Sequence, residues 1–147
     1  MRAQYEIGFD DVDYARVLYH ARYYSWVDRT LITWFHAHGL SYRDLSMELH
    51  VSMPIQTSHC RYRGPLQFED RFEVRLAIEG LTQRGFRLSF HVVRLADDFL
   101  VAEGYEDRRF VDFERRRPAD PPEALYALLQ TMASESAGNL STRDPEG

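Results

Sequence analysis

Between Ala21 and His38, apolar side chains return every three or four residues. Tyr23, Val27, Leu31, Trp34 and His38 fall on one stripe, and Trp26 and Phe35 widen it. Only Arg22, Ser25, Asp28, Arg29 and His36 clearly interrupt the pattern. This spacing predicts an α-helix, and one so apolar is expected to be wrapped by other structure rather than to lie on a surface. Gly39 is placed to end it, because a residue without a Cβ adopts the left-handed C′ conformation at little cost.

The rest of the chain reads mainly as strands. Residues 4–9 alternate Tyr5, Ile7 and Phe9 with Gln4, Glu6 and Gly8, a short strand with one buried face. After Pro54, strands are expected over 55–63, 71–79, from Phe86 to Val92, and over 99–113. Gly64-Pro65 marks a bend, residues 80–85 a hairpin and Ala96-Asp97-Asp98 a turn. Pro121-Pro122 then precedes a short amphipathic helix carrying Leu125, Leu128, Leu129 and Met132. One domain over residues 1–132 is expected, with a disordered tail over 133–147, which is mostly small or polar. Strand, long buried helix and a four-strand antiparallel meander make an α+β fold. One helix on one sheet leaves an edge and a face to cover, so oligomerisation is expected.

Composition removes several chemistries. All 18 basic residues are arginine, so Schiff-base catalysis and the lysine-dependent phosphate and acylation motifs are excluded. A net charge of −5 argues against bulk nucleic-acid binding. The N-terminal segment has no apolar signal-peptide core, and no apolar run approaches the ~20 residues needed to span a bilayer. Cys60 is the only cysteine, which excludes an intrachain disulfide and any paired-cysteine metal or redox site and favours a reduced, cytoplasmic setting. Asp10-Asp11-x-Asp13 has no histidine or glutamate at ligand spacing nearby, and His36 and His38 face different ways on a helix. Neither a metal nor another cofactor is expected.

Asp13 lies just before the helix and His20 at its start. The free N–H groups of a first turn, with the helix dipole, can stabilise an oxyanion forming on a carbonyl carbon under attack. A nearby carboxylate can attack that carbonyl or draw a proton from water. The competing reading is that Asp13 only caps a turn. Asp11 reads as structural, bonding backbone in the turn. The His20 side chain suits substrate or water as well as simple packing.

The segment FDDVDYARVLYHARYYSWVDR, residues 9–29, resembles the opening signature of hotdog-fold acyl-CoA thioesterases of the 4-hydroxybenzoyl-CoA and Tol-Pal-associated branch. Phe9, Asp11, Asp13, Ala15, Val17, Leu18, Tyr19, His20, Ala21, Tyr23 and Asp28 match it in register. Tyr62-x-x-Pro65 followed by Asp70, and Ala102-x-Gly104, resemble two later family motifs. At two positions the chain departs: Arg16 replaces the usual glycine and Arg22 the usual asparagine.

The resemblance implies a hotdog fold, a long central helix wrapped by a five-stranded antiparallel sheet. It also implies hydrolysis of an acyl-CoA or acyl-carrier-protein thioester in a site shared by the subunits of a homodimer or homotetramer. Asp13 would be the catalytic carboxylate, as nucleophile or general base, and the His20 backbone N–H would polarise the carbonyl. Tyr19 and Tyr23 are expected as pocket wall and Asp28 as a partly buried partner. Arg115 and Arg116, like Arg108, Arg109 and Arg117, are candidates for coenzyme A phosphates, because an arginine fork suits phosphate. Two alternatives remain: a non-catalytic acyl-CoA-binding protein, and a hydratase or dehydratase. The second is disfavoured by Leu18, where that branch resembles a chain with histidine.

Overall fold

A computed structural model describes residues 1–140 of the chain. In order it contains β1 (Arg2–Glu6), a 3-10 turn (Phe9–Asp11), α1 (Arg22–Ala37), α2 (Tyr42–Met47), β2 (Val51–Ser52), β3 (Ile55–Tyr62) and β4 (Arg71–Thr82). These are followed by β5 (Gly85–Arg94), β6 (Phe99–Arg109), β7 (Val111–Asp112), β8 (Arg117–Pro118) and α3 (Glu123–Ser136). Five strands form an antiparallel sheet in the order β1-β4-β5-β6-β3, and β2-β7-β8 form a small second sheet. The fold is the expected hotdog arrangement.

Period-2 alternation decides which face each strand residue takes. Phe72, Val74, Leu76 and Ile78 of β4 and Leu88, Phe90 and Val92 of β5 face α1. They pack with Val27, Leu31, Trp34 and Phe35 of α1 and Leu125, Leu129 and Met132 of α3. Full burial of one such side chain stabilises by about 1.5–3 kcal/mol, so this layer holds the helix on the sheet. The opposite face carries charge and is laced by cross-strand pairs, among them Arg87 on Asp107 at 2.8 and 3.0 Å and Ser89 on Glu79 at 2.6 Å. At Gly104 the sheet tolerates no side chain, since a Cβ there would lie 2.0 Å from the His59 carbonyl oxygen of β3.

Several expectations are corrected. The four later strands are not a simple meander, because β3 pairs with β6 while β4 pairs with β1. The cause is the connection between β3 and β4. It does not fold back as a hairpin but is pinned to the loop before α1: Leu18 donates its N–H to Leu66 O at 2.7 Å, and Ile7 donates to Asp70 O at 3.0 Å. Leu66 is buried there.

The helix is also less enclosed than expected. Sheet and α3 cover one side, while Ser25, Arg29, Thr33 and His36 form an exposed stripe. The first strand covers 2–6 rather than 4–9, and the last long strand stops at Arg109, where Phe110 turns into the core. The hairpin's arms run further than the alternation suggested, to Thr82 and from Gly85. α2 had no counterpart in the strand pattern, although its Ser41-x-x-Asp44 capping box is a start signal.

At the other end, α3 passes the expected limit at Met132 and reaches Ser136. Ser136 Oγ accepts the Ile78 N–H at 3.1 Å, and Asn139 donates to Leu76 O at 2.9 Å. These bonds occupy the β4 edge beyond β1 and tie down what composition alone reads as tail. The remainder of the expected tail, residues 141–147, lies outside the described residues.

Candidate active site

The loop between β1 and α1 is organised by its acids. Asp11 Oδ2 accepts the Gly8 N–H at 2.8 Å, and the Asp11 carbonyl accepts the Tyr19 N–H at 3.0 Å, so Asp11 holds backbone. Val12 bridges Leu18, Asp13 donates its N–H to Val17 O at 2.9 Å, and Arg16 donates to Asp13 O at 3.0 Å. The result is a tight turn whose last corner, Arg16, has φ 65°. That left-handed value explains why glycine suits the position.

Asp13 sits at the base of this turn. Its Oδ1 accepts the Ala15 N–H at 2.8 Å, the capping role weighed above. Among the described residues its other oxygen accepts no hydrogen bond. One oxygen is fixed and one is free, so capping does not exclude chemistry.

The start of α1 is open. Its N-cap is Ala21, with no side-chain hydrogen bond, where Ser, Thr, Asp or Asn would ordinarily satisfy the orphan N–H groups. The carbonyls of Tyr19 and His20 accept the N–H groups of Arg22 and Tyr23 at 2.9 and 3.5 Å. Among the described residues, the N–H groups of His20 and Ala21 donate to no protein atom.

Asp13, His20 and Tyr23 line one cavity of about 400 Å³, together with Tyr62, Gly64 and Pro65 from the end of β3. Tyr62 donates its hydroxyl to the His20 carbonyl at 3.3 Å, and its ring meets those of Tyr23 and His20 edge-on at 5.2 and 6.5 Å. Burial, then the Cys60 thiol, holds the Tyr23 phenol well above its ordinary range and pushes Tyr62 up to about 12. Both are hydrogen-bond donors near neutral pH. Arg94 braces the far wall: it donates to Pro65 O at 2.8 Å, forks onto Asp97 at 2.9 and 2.7 Å, and lies over the Phe99 ring. That ring crowds Gly64, where a Cβ would come within 2.6 Å of it and force the ring to shift.

The remaining candidates lie elsewhere. The Tyr19 ring lies tilted beside that of His20, with centroids 4.6 Å apart, but Tyr19 is 45% exposed and outside the cavity wall. Asp28 pairs with Arg108 at 2.9 Å. Arg108 is buried and locked onto Glu106 and the Met53 carbonyl, which removes it from the phosphate candidates. Arg115 and Arg116 occupy the β7–β8 hairpin, where Asp112 accepts the Arg115 N–H at 2.8 Å.

A larger cavity, about 1120 Å³, lies at that end of the sheet and is lined by Gln56, Arg84, Arg87, Arg109, Pro118 and Asp120. Gln56 in its wall and Tyr62 in the wall of the Asp13 cavity are six residues apart on β3, roughly 20 Å along the strand. Sequence reasoning noticed Tyr62 and Pro65 as a motif but missed that they wall the Asp13 cavity. It also missed the arginine-lined cavity, whose residues come from four separated segments.

Residues 7–129 match the thioesterase-like superfamily. The fold resembles a solved gentisyl-coenzyme A thioesterase, with a TM-score of 0.75 and 23% identity over 85% of this chain and 98% of that one. A 1,4-dihydroxy-2-naphthoyl-CoA thioesterase from Synechocystis gives 0.81 and 16%, over 88% and 94%. A Staphylococcus aureus protein solved in complex with CoA gives 0.80 and 18%, over 96% and 85%. With most of its length matching the family's pattern and its fold shared with these proteins, the chain belongs to the thioesterase-like superfamily.

Proposed function

We propose that the protein hydrolyses an acyl-CoA or acyl-carrier-protein thioester to the free acid and thiol, as in the 4-hydroxybenzoyl-CoA branch. The observation that carries this reading is the single cavity lined by Asp13, whose second oxygen is free, and by His20 at an uncapped helix start. The thioester carbonyl oxygen sits against the unengaged N–H groups of the first turn, which stabilise it as negative charge develops. Asp13 either attacks the carbonyl carbon, giving on loss of the thiolate an anhydride that water then cleaves to the free acid and the Asp13 carboxylate, or takes the proton of a water that attacks in its place. The thiolate of the carrier leaves and takes a proton from solvent. Tyr23, in the wall of the Asp13 cavity, borders the acyl group.

The reading includes a second copy of the chain. β3 is exposed along most of its length and, among the described residues, has no partner on its outer edge. Antiparallel pairing of two such edges joins the sheets about a two-fold axis and brings the Gln56 end of one β3 beside the Tyr62 end of the other. The arginine-lined cavity of one copy then lies within a nucleotide's reach of the other copy's Asp13. Arg84, Arg87 and Arg109 line it, and Arg115 and Arg116 precede Pro118 in its wall, so these side chains are assigned to the coenzyme A phosphates. Asp28, near the same edge, is assigned to the acyl side of the shared site.

The test is release of free thiol from a panel of aryl, short-chain and long-chain acyl-CoAs. The wild-type protein should turn over at least one of them, and Asp13→Asn should lower kcat by about a hundredfold or more, the lower range for removing a nucleophile or general base. Full turnover in Asp13→Asn would refute the reading. Binding without thiol release in the wild type would favour the non-catalytic acyl-CoA-binding alternative.

A further inference from the structure

Tyr62 reaches the helix start from a different element. Its hydroxyl bonds the His20 carbonyl, and its ring is held edge-on between Tyr23 and His20. That carbonyl belongs to the same planar peptide as the Ala21 N–H. A hydrogen bond received at the oxygen fixes the plane and polarises the N–H on its other side. The neighbouring donor, His20 N–H, has its own peptide oxygen anchored by the Arg22 N–H at 2.9 Å. The helix supplies that second anchor from its own backbone. For the Ala21 peptide, the helix offers only the longer Tyr23 N–H contact of 3.5 Å, and Tyr62 completes it from β3.

We propose that Tyr62 is a positioning residue for the oxyanion site: through the His20 carbonyl it sets the direction and strength of the Ala21 N–H as a donor. This rests on the thioesterase reading above. Tyr62 need not touch the reacting carbonyl. Its phenol stays protonated across the working range, as the role requires. The ring packing survives in phenylalanine, whereas the donated hydrogen bond does not, so Tyr62→Phe separates the two contributions.

The experiment pairs kinetics with a readout independent of turnover. On the best-accepted acyl-CoA of the panel, Tyr62→Phe should lower kcat by about three- to tenfold, the worth of one neutral hydrogen bond, with KM within about twofold. The Ala21 amide 15N resonance of the free protein should move in the same variant. Tyrosine replaced by 3-fluorotyrosine at this position, a stronger donor of the same shape, should restore or exceed the wild-type kcat. An unchanged kcat in Tyr62→Phe, or an unmoved Ala21 resonance, overturns the inference. A rise in KM with kcat unchanged also overturns it, since that pattern belongs to a pocket wall. If the wild type releases no thiol from any thioester, the thioesterase reading fails by itself. The Ala21 resonance then decides the positioning role: movement supports it and no movement overturns it.

Discussion

Arg108→Met tests a charged cluster that the sheet buries beneath α1. Alternation along β6 turns Glu106 and Arg108 toward the helix side, and Glu106 is fully buried while Arg108 is 6% exposed. Arg108 Nε and Nη2 both bond Glu106 Oε2, at 3.0 and 2.7 Å, while Nη1 holds the Met53 carbonyl at 3.2 Å. Among the described residues, Glu106 Oε1 has no hydrogen-bond partner. Burial already raises the Glu106 carboxyl above its ordinary value, and the Arg108 charge opposes that rise.

Methionine preserves much of the stem's packing and removes the cation that bonds Glu106. Breaking a buried pair in this way costs about 3–5 kcal/mol. In a domain of this size that is a loss of roughly 6–20 °C in Tm at about 2–4 °C per kcal/mol. Replacing both partners, Glu106→Leu with Arg108→Met, should recover most of the loss, because no unpaired charge remains.

The pH dependence has a definite sign. A carboxyl whose folded pKa lies above its unfolded value is penalised when ionised, and the penalty vanishes as pH falls through the folded pKa toward the unfolded one. The deficit of Arg108→Met relative to wild type should therefore shrink between pH 7.5 and pH 5. Urea denaturation followed by tryptophan fluorescence at the two pH values measures it. A deficit below about 1 kcal/mol, one that grows on acidification, or a double variant as damaged as the single would refute the reasoning.

Two further predictions follow from local geometry. Arg16→Gly relieves a left-handed φ of 65°; set against glycine's own entropy in the unfolded chain, the net gain should be about 0.5–1 kcal/mol in denaturant melts, and a loss would show that the arginine side chain makes a stabilising contact. The two ring nitrogens of His38 face Trp34 O at 3.0 Å and Glu135 at 3.1 Å, both acceptors, so only the protonated ring donates to both, and these bonds raise its pKa. The stability this contributes is present below the unfolded pKa and is lost as pH rises through the folded one, so His38→Gln should lower Tm more at pH 5.5 than at pH 8.5.

The candidate site was legible where it depended on a contiguous stretch. Asp13, His20 and Tyr23 lie within eleven residues, and the turn and helix start that carry them follow from local spacing. The site was illegible where it depended on pairing. Tyr62, Gly64 and Pro65 enter the cavity only because the following segment is hydrogen-bonded to the loop at residues 7–18. Nothing in the composition of 63–70 specifies that partner. Arg108 looked like a surface arginine beside Arg109, and one step of strand alternation, anchored by its register with Phe86, turned it inward.

By itself the sequence determined the long helix and its glycine stop, the alternating strands, the absence of any amine chemistry and the loop that holds the free carboxylate. Each is written in periods of 2 or 3.6 residues, or in a residue type with a particular backbone preference, and so is local. Tertiary structure decided the strand order, the exposed β3 edge, the buried Glu106–Arg108 pair, the anchoring of Ser136 and Asn139, and the meeting of Tyr62 with His20. These rest on contacts between residues 42, 80 and 138 positions apart in the chain. Their partners are selected by closing the whole sheet around one helix, which no local window contains.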